Sequence, residues 1–160
     1  MSAVWLAAPD ETDVVARLLV QFRDHLGHSS PSEDSFRASV TQLIERTDSE
    51  FWLGAPADGI PAQGICQLRF RHCVWTAAED CWLEDLFVRG SERGTGLGRA
   101  LVMAAFDRAR ERGCARIELD TEEANHAAVA LYASLGFSDT SKGESRGLFM
   151  GAKLTDPSRA

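Results

Sequence analysis

The run Arg93-Gly94-Thr95-Gly96-Leu97-Gly98 has the make-up of an anion cradle. Glycines at alternate positions remove β-carbons from one side of a turn, so successive backbone N–H groups can approach a phosphate closely. Arg93 adds a fixed positive charge. From Leu97 to Arg112 the apolar positions Leu97, Ala100, Leu101, Ala104, Ala105 and Ala109 follow a helical spacing, which aims a helix N-terminus at the same anion. Proton chemistry has candidates on either side of the turn. In the strand-like stretch Trp82 to Val88, alternation sends Glu84 and Asp85 to opposite faces, so that one of them can face a cleft directly. Tyr132, the chain's one tyrosine, has a phenol with an ordinary pKa of about 10 that can give up a proton without being ionised near neutral pH. On residue type alone, the two acids read equally as rim charges, and Tyr132, beside Val129, Leu131 and Leu135, as a core-capping aromatic.

Spacing narrows the ligand. A P-loop is excluded, because no Lys-Ser or Lys-Thr follows the glycines. The dinucleotide pattern G-x-G-x-x-G is met at Gly94 and Gly96, with Glu118 or Asp120 at a suitable distance for a ribose, but its third glycine falls at Arg99. The four cysteines, Cys66, Cys73, Cys81 and Cys114, lack the pairing of a zinc or disulfide framework, so no metal is expected and the thiols are read as reduced. His25 and His28 have ligand-like spacing, yet Gly27, Ser29, Ser30 and Pro31 beside them point to a solvated loop.

The elements that must position these residues follow from periodicity. Val4 to Ala7 reads as a strand, Asp10 to Leu26 and Ser32 to Arg46 as helices, and Phe51 to Ala55, Gly64 to Trp75 and Cys81 to Val88 as a strand meander. After the glycine turn come a helix to Arg112, a strand Arg116 to Asp120, a helix from Asn125 to Leu135, and strand-like pieces around Phe137 and Leu148 to Ala152. This is an α/β chain with a mixed, mostly antiparallel sheet and helices on both faces, expected as one domain over residues 1–154 with a frayed tail at 155–160. The length of 160 residues and 44% hydrophobic content fit a single globular core. A net charge of -7 argues against duplex nucleic acid as partner. No apolar run has the ~20 residues of a membrane span, and no signal peptide is recognisable, so a cytoplasmic location is expected.

The sequence resembles the GNAT superfamily of acetyl-CoA-dependent N-acetyltransferases. Arg93, Gly96 and Gly98 satisfy that family's Gln/Arg-x-x-Gly-x-Gly/Ala motif. Leu83-Glu84-Asp85-Leu86-Phe87-Val88 before it, and Asn125 with Leu131-Tyr132-Ala133-Ser134-Leu135-Gly136-Phe137 after it, match in order and distance. Gly90-Ser91 departs from the proline that many members carry there. Leu83 to Val88 and Arg146-Gly147-Leu148-Phe149 are most similar to the spermidine/spermine and related diamine acetyltransferases.

The resemblance implies acetyl-CoA as donor and a small-molecule amine, a polyamine or an amino-acid-like compound, as acceptor, with direct transfer in a ternary complex and a homodimer as assembly. It implies Glu84 as general base and Tyr132 as general acid. Leu86, Phe87 and Val88 are implied to hold the cofactor's pantetheine arm through their main chain, Arg93, Gly94, Thr95, Gly96, Leu97, Gly98 and Arg99 its phosphates, and Asn125 another part of it. Lys142 and Arg89 are further candidates for the adenosine phosphates, although a solvated role suits them better. Asp24, His25, His28, Trp75, Trp82 and Asp85 are candidates for the amine pocket, by charge and cation–π contact. Two other readings stay open: a protein or peptide N-acetyltransferase, and a non-catalytic CoA-binding sensor. The presence of both Glu84 and Tyr132 speaks against the sensor.

Overall fold

Pro9, Asp10 and Glu11 start the first helical segment in a way their chemistry favours. Proline needs no N–H partner there, and the Glu11 carboxylate accepts the Ala8 N–H at 2.9 Å. In the computed structural model, which describes residues 1–154, Pro9–Glu11 is a single 3-10 turn leading into α1, Thr12–His25. It follows β1, Ala3–Leu6, and precedes α2, Glu33–Leu43. Ser32 is not the first residue of α2 but its cap, accepting the Ser35 N–H at 3.2 Å. The order continues with β2 (Ser49–Ala55), β3 (Gly64–Cys73), β4 (Ala78–Val88), a 3-10 turn Gly90–Glu92, α3 (Leu97–Glu111), β5 (Arg116–Glu118) and α4 (His126–Ser134). The expected tail at 155–160 lies outside the described residues, among which no helix is long and apolar enough to cross a membrane. The described chain divides into two compact units, Met1–Leu119 and the residues from Asp120 onward.

The first unit holds a five-stranded sheet in the order β1-β2-β3-β4-β5, antiparallel except for the parallel β4–β5 pair. Phe51, Leu53, Ile65 and Phe87 point to one face and meet Val15, Leu18 and Leu19 of α1 and Val40 of α2 in a buried cluster. The other face carries α3, whose Leu97, Leu101 and Val102 are fully buried, each contributing about 1.5–3 kcal/mol. Gly64 lets α3 come this close. A β-carbon there would stand 3.0 Å from Leu101 Cδ1 and 3.2 Å from the Phe87 carbonyl.

Several strand ends differ from expectation by one to three residues. β1 runs from Ala3 to Leu6, β2 starts at Ser49 and β5 ends at Glu118, and the hairpin between β3 and β4 is shorter than expected. β3 stops at Cys73 and β4 begins at Ala78, because Ala78, Glu79 and Asp80 pair with Cys73, His72 and Arg71. Trp75 therefore sits at the hairpin tip, 92% exposed, and not in a strand.

In the second unit α4 begins under the Asn125 cap and ends at Gly136, whose φ of +93° turns the chain back so that the Phe137 N–H reaches the Tyr132 carbonyl at 3.0 Å. The strand-like pieces expected around Phe137 and Leu148 to Ala152 are not strands. Leu148, Phe149 and Met150 are exposed, Gly151 interrupts the apolar run, and the N–H of Gly147 just before it is taken by the Asp139 carbonyl at 2.7 Å.

Candidate active site

β3 and β4 change register at one point. Leu68 stands opposite Leu83 and Gln67 opposite Asp85, which leaves Glu84 as the extra residue of a β-bulge. β3 itself runs regularly there, so Gln67 and Arg69 share a face. Asp85 opposes Gln67, and Glu84 Oε2 pairs with Arg69 Nη1 at 3.4 Å. Both carboxylates thus lie on one face, against the strict alternation expected from the sequence. Trp82, opposite Arg69, and Phe87, opposite Ile65, share that face. Arg69 is the residue that spacing could not supply, since it is 15 positions from Glu84 and carries no motif. Its Nε is buried without a hydrogen-bond partner.

β5 pairs with β4 only from Asp80 to Trp82. Among the described residues no strand pairs with Leu83 to Val88 on that side of β4, so the main chain from Leu86 to Val88 has an edge to which an extended ligand can add, as a strand would. The Phe87 ring points the other way, stacked on Phe22 with centroids 5.3 Å apart and facing His25 at 6.2 Å.

The edge runs straight into the glycine turn. Gly94 and Gly96 have φ of +79° and +93°, and nothing lies within 4 Å of where their β-carbons would be. Gly96 is the N-cap of α3, so no side chain covers the first N–H groups of that helix. Thr95 Oγ1 closes the turn on the Glu92 carbonyl at 2.7 Å. Arg93 folds back over the strand end, donating from Nε to the Val88 carbonyl at 3.1 Å with its guanidinium 6.0 Å from the Phe87 ring centre. Open backbone donors, a helix N-terminus and one arginine fit a pyrophosphate such as that of a coenzyme A thioester. Leu97 is buried beneath the turn, and Gly98 and Arg99 complete the first turn of α3.

The substrate-side candidates are only partly gathered. His25 is the last residue of α1, not part of the loop, and stands by Phe87, while Asp24 beside it is held by Arg23 at 2.6 Å. Arg23 also donates to the Pro31 carbonyl at 2.7 Å, fastening the α1–α2 loop. Trp75 is exposed at the hairpin tip, and His28 is exposed in the loop. Arg89 donates to Gln63 Oε1 at 3.0 Å. In the second unit Tyr132 is 8% exposed, with its ring edge-on to Phe137 at 5.6 Å. Asn125 Oδ1 accepts the Ala128 N–H at 3.2 Å, the ordinary work of a helix cap. Lys142 lies in the irregular segment after α4.

All four cysteines are free. Burial pushes the Cys66 thiol well up and that of Cys81 to about 12, which makes both poor nucleophiles. Among the described residues no three His, Cys, Asp or Glu side chains gather as a metal ion requires.

Residues 10–137 match the model of the Acetyltransferase (GNAT) family. A thialysine N-epsilon-acetyltransferase of Sus scrofa is 33% identical over 94 residues, covering 56% of this chain and 54% of that protein. A mycothiol acetyltransferase of Thermobispora bispora is 59% identical over 46 residues, 29% of this chain and 16% of that protein. The chain thus spans about half of one relative and a sixth of the other. A solved structure from Arthrobacter sp. FB24 superposes with a TM-score of 0.85 at 28% identity, over 95% of this chain and 96% of that one.

Proposed function

The chain belongs to the GNAT acetyltransferase family, and from that premise we propose that it is an acetyl-CoA-dependent N-acetyltransferase acting on a primary amine of a small molecule. The observation that carries this reading is the continuous path from the edge of β4 at Leu86 to Val88, which β5 does not cover, through the glycine turn, to the uncapped start of α3. The strand edge would hold the pantetheine arm, and the turn and Arg93 the phosphates. Acetyl-CoA supplies the acetyl group as an activated thioester.

In this proposal Glu84 takes the proton from the acceptor's ammonium, directly or through water, so that nitrogen has a lone pair for the carbonyl carbon. A backbone N–H of the β4 edge holds the charge that develops on the carbonyl oxygen. As the C–N bond forms and the C–S bond breaks, Tyr132 gives its phenolic proton to sulfur, and the second proton that the nitrogen sheds in becoming an amide restores the phenol through water. Transfer is direct in a ternary complex, without a covalent intermediate on the protein. Trp82 and Asp85, on the face of Glu84, together with His25, are proposed to receive the amine, and Asn125 to contact the cofactor besides capping α4. The names of the thialysine and mycothiol relatives favour a small amino-bearing acceptor over a protein. The chain is proposed to act as one domain over residues 1–154, in keeping with a family match that runs through both units. It is proposed to work as a homodimer in the cytoplasm, a reducing compartment that suits four free cysteines.

A thiol-release assay with acetyl-CoA tests the reading, run against polyamines, amino acids, aminoglycosides and N-terminal peptides. Turnover is expected with at least one small amine. Turnover with peptides alone would shift the assignment to a protein acetyltransferase, and tight CoA binding with no turnover would make the protein a sensor.

A further inference from the structure

The face of β3 that carries Arg69 also carries Arg71, because the strand runs without a register shift from Leu68 to Cys73. Two residues apart on a strand, their Cα atoms are about 7 Å apart. The acids around them are already taken. Asp80, opposite Arg71, is buried and pairs with Arg116 at 3.3 Å. Asp48, next to Ser49, the register partner of Arg69, is held by Arg46 at 2.7 Å. Arg71 is exposed and makes no hydrogen bond or ion pair among the described residues. Arg69 makes one, the 3.4 Å contact with Glu84. The face that holds Glu84, Asp85 and Trp82 thus also holds two guanidiniums with one long contact for the pair.

This placement bears on the charge of the acceptor. An ammonium delivered to Glu84 comes to rest beside Arg69 as well, and like charges at that range repel. A second ammonium further along the same molecule meets Arg71, so a diamine or polyamine is repelled twice. An acceptor with its own carboxylate turns both repulsions into attraction, since a guanidinium grips a carboxylate through paired N–H donors. The contact of Arg69 with Glu84 sets the near limit for that carboxylate, and the step to Arg71 sets the far one. It lies within about 10 Å of the reacting nitrogen, a span that amino acids up to the length of lysine can cover.

We infer that the acceptor is an amino acid, its amine at Glu84 and Asp85 and its carboxylate on Arg69 and Arg71. With Glu84 as the base, as proposed above, the site selects a zwitterion against polyamines and aminoglycosides, whose charges are all positive.

Matched acceptors isolate the carboxylate: lysine beside lysinamide and cadaverine, ornithine beside ornithinamide and putrescine, alanine beside alaninamide and ethylamine. In the acetyl-transfer assay at least one amino acid should have a kcat/KM about 10-fold or more above its amide and its decarboxylated amine, the factor for a hydrogen-bonded charge. Arg71→Glu, at an exposed position, should raise KM for that amino acid about 10-fold. The same variant should keep or improve turnover of the decarboxylated amine, which shows that it is folded. Arg69→Gln should shrink the ratio of acid to amide, whatever it does to kcat. Binding is read apart from turnover, in the protein with CoA, through the NMR shift of the Trp82 indole N–H, identified by its loss in Trp82→Phe. An amino acid that binds there ahead of its decarboxylated amine and is not acetylated would overturn the acetyltransferase reading and leave the site standing. Amides or decarboxylated amines bound or acetylated as well as the acids, an acid-to-amide ratio that Arg71→Glu leaves unchanged, or no saturable shift with any amino acid would overturn the inference.

Discussion

The bulge at Glu84 decides what two acidic residues can do. Without it Glu84 and Asp85 would face opposite sides of the sheet; with it both face the side of Trp82 and Phe87, and Arg69 steadies Glu84 at 3.4 Å. In the proposed reading a cationic amine on this face would meet two carboxylates and an indole, and Glu84 would serve as the base. Glu84→Gln should lower kcat/KM about 10²-fold to 10⁴-fold near neutral pH. The deficit should shrink as pH rises toward the amine's own pKa of about 10, because the solvent then does the deprotonation. A deficit constant across that range would show that Glu84 is not the base. For Tyr132, loss of the hydroxyl alone is the informative change. Tyr132→Phe keeps the edge-on contact with Phe137, and kcat should fall about 10-fold to 10³-fold in a folded protein. Measured KM for acetyl-CoA should move little, and an unchanged kcat with chemistry rate-limiting would remove Tyr132 from its role.

At the scale of elements, what the sequence shows well is what has a local cause. α1, α3 and α4 lie where helical spacing puts them, and the glycine turn stands between β4 and α3 because glycine's freedom at φ +93° is a property of one residue. The bulge has no such local sign: it arises from how β4 registers on β3, a partner 15 residues away, so alternation along β4 alone assigns the wrong faces. The same holds for Leu148 to Ala152, whose apolar residues resemble a strand but make no ladder. Two glycines test this division. Gly96→Ala puts a β-carbon in open space but at a φ that costs about 1–2 kcal/mol, so the turn should shift and CoA affinity, measured by calorimetry, should fall several-fold in a folded protein. Gly64→Val is different, because its side chain meets Leu101 and the Phe87 carbonyl. It should cost about 1–3 kcal/mol in denaturant unfolding by forcing α3 away from the sheet. Undiminished stability would mean that α3 does not depend on this close approach.

At the scale of the whole molecule, the charge of -7 has to be held without loss of packing. A buried part of that acidity is tied to arginines at the C-terminal end of α3. Arg108 donates to Glu50 at 2.7 Å, and Arg112 reaches Glu79 at 2.9 Å and Glu50 at 3.4 Å while its guanidinium lies 3.8 Å from the Phe70 ring centre. One helix end is thereby joined to β2, β3 and β4, and positive charge sits where the helix dipole favours it. Glu50 is 7% exposed. Burial alone pushes its carboxyl up, but hydrogen bonds from Arg108 and Trp52 and the charges of Arg108 and Arg112 outweigh that and leave it below the ordinary glutamate range. A carboxyl lowered on folding contributes stability that is complete above its unfolded pKa and is lost as pH falls through the folded one. Glu50→Gln should therefore melt about 4–8 °C below the parent at pH 7, as expected for roughly 2 kcal/mol in a chain of this size. The gap should begin to narrow as pH falls through the ordinary glutamate range and close only below it, where the folded parent's Glu50 is protonated as well. Melting curves of both proteins from neutral pH down to the acid transition measure this directly. A gap that stays constant with pH would mean that Glu50 contributes by shape and not by charge.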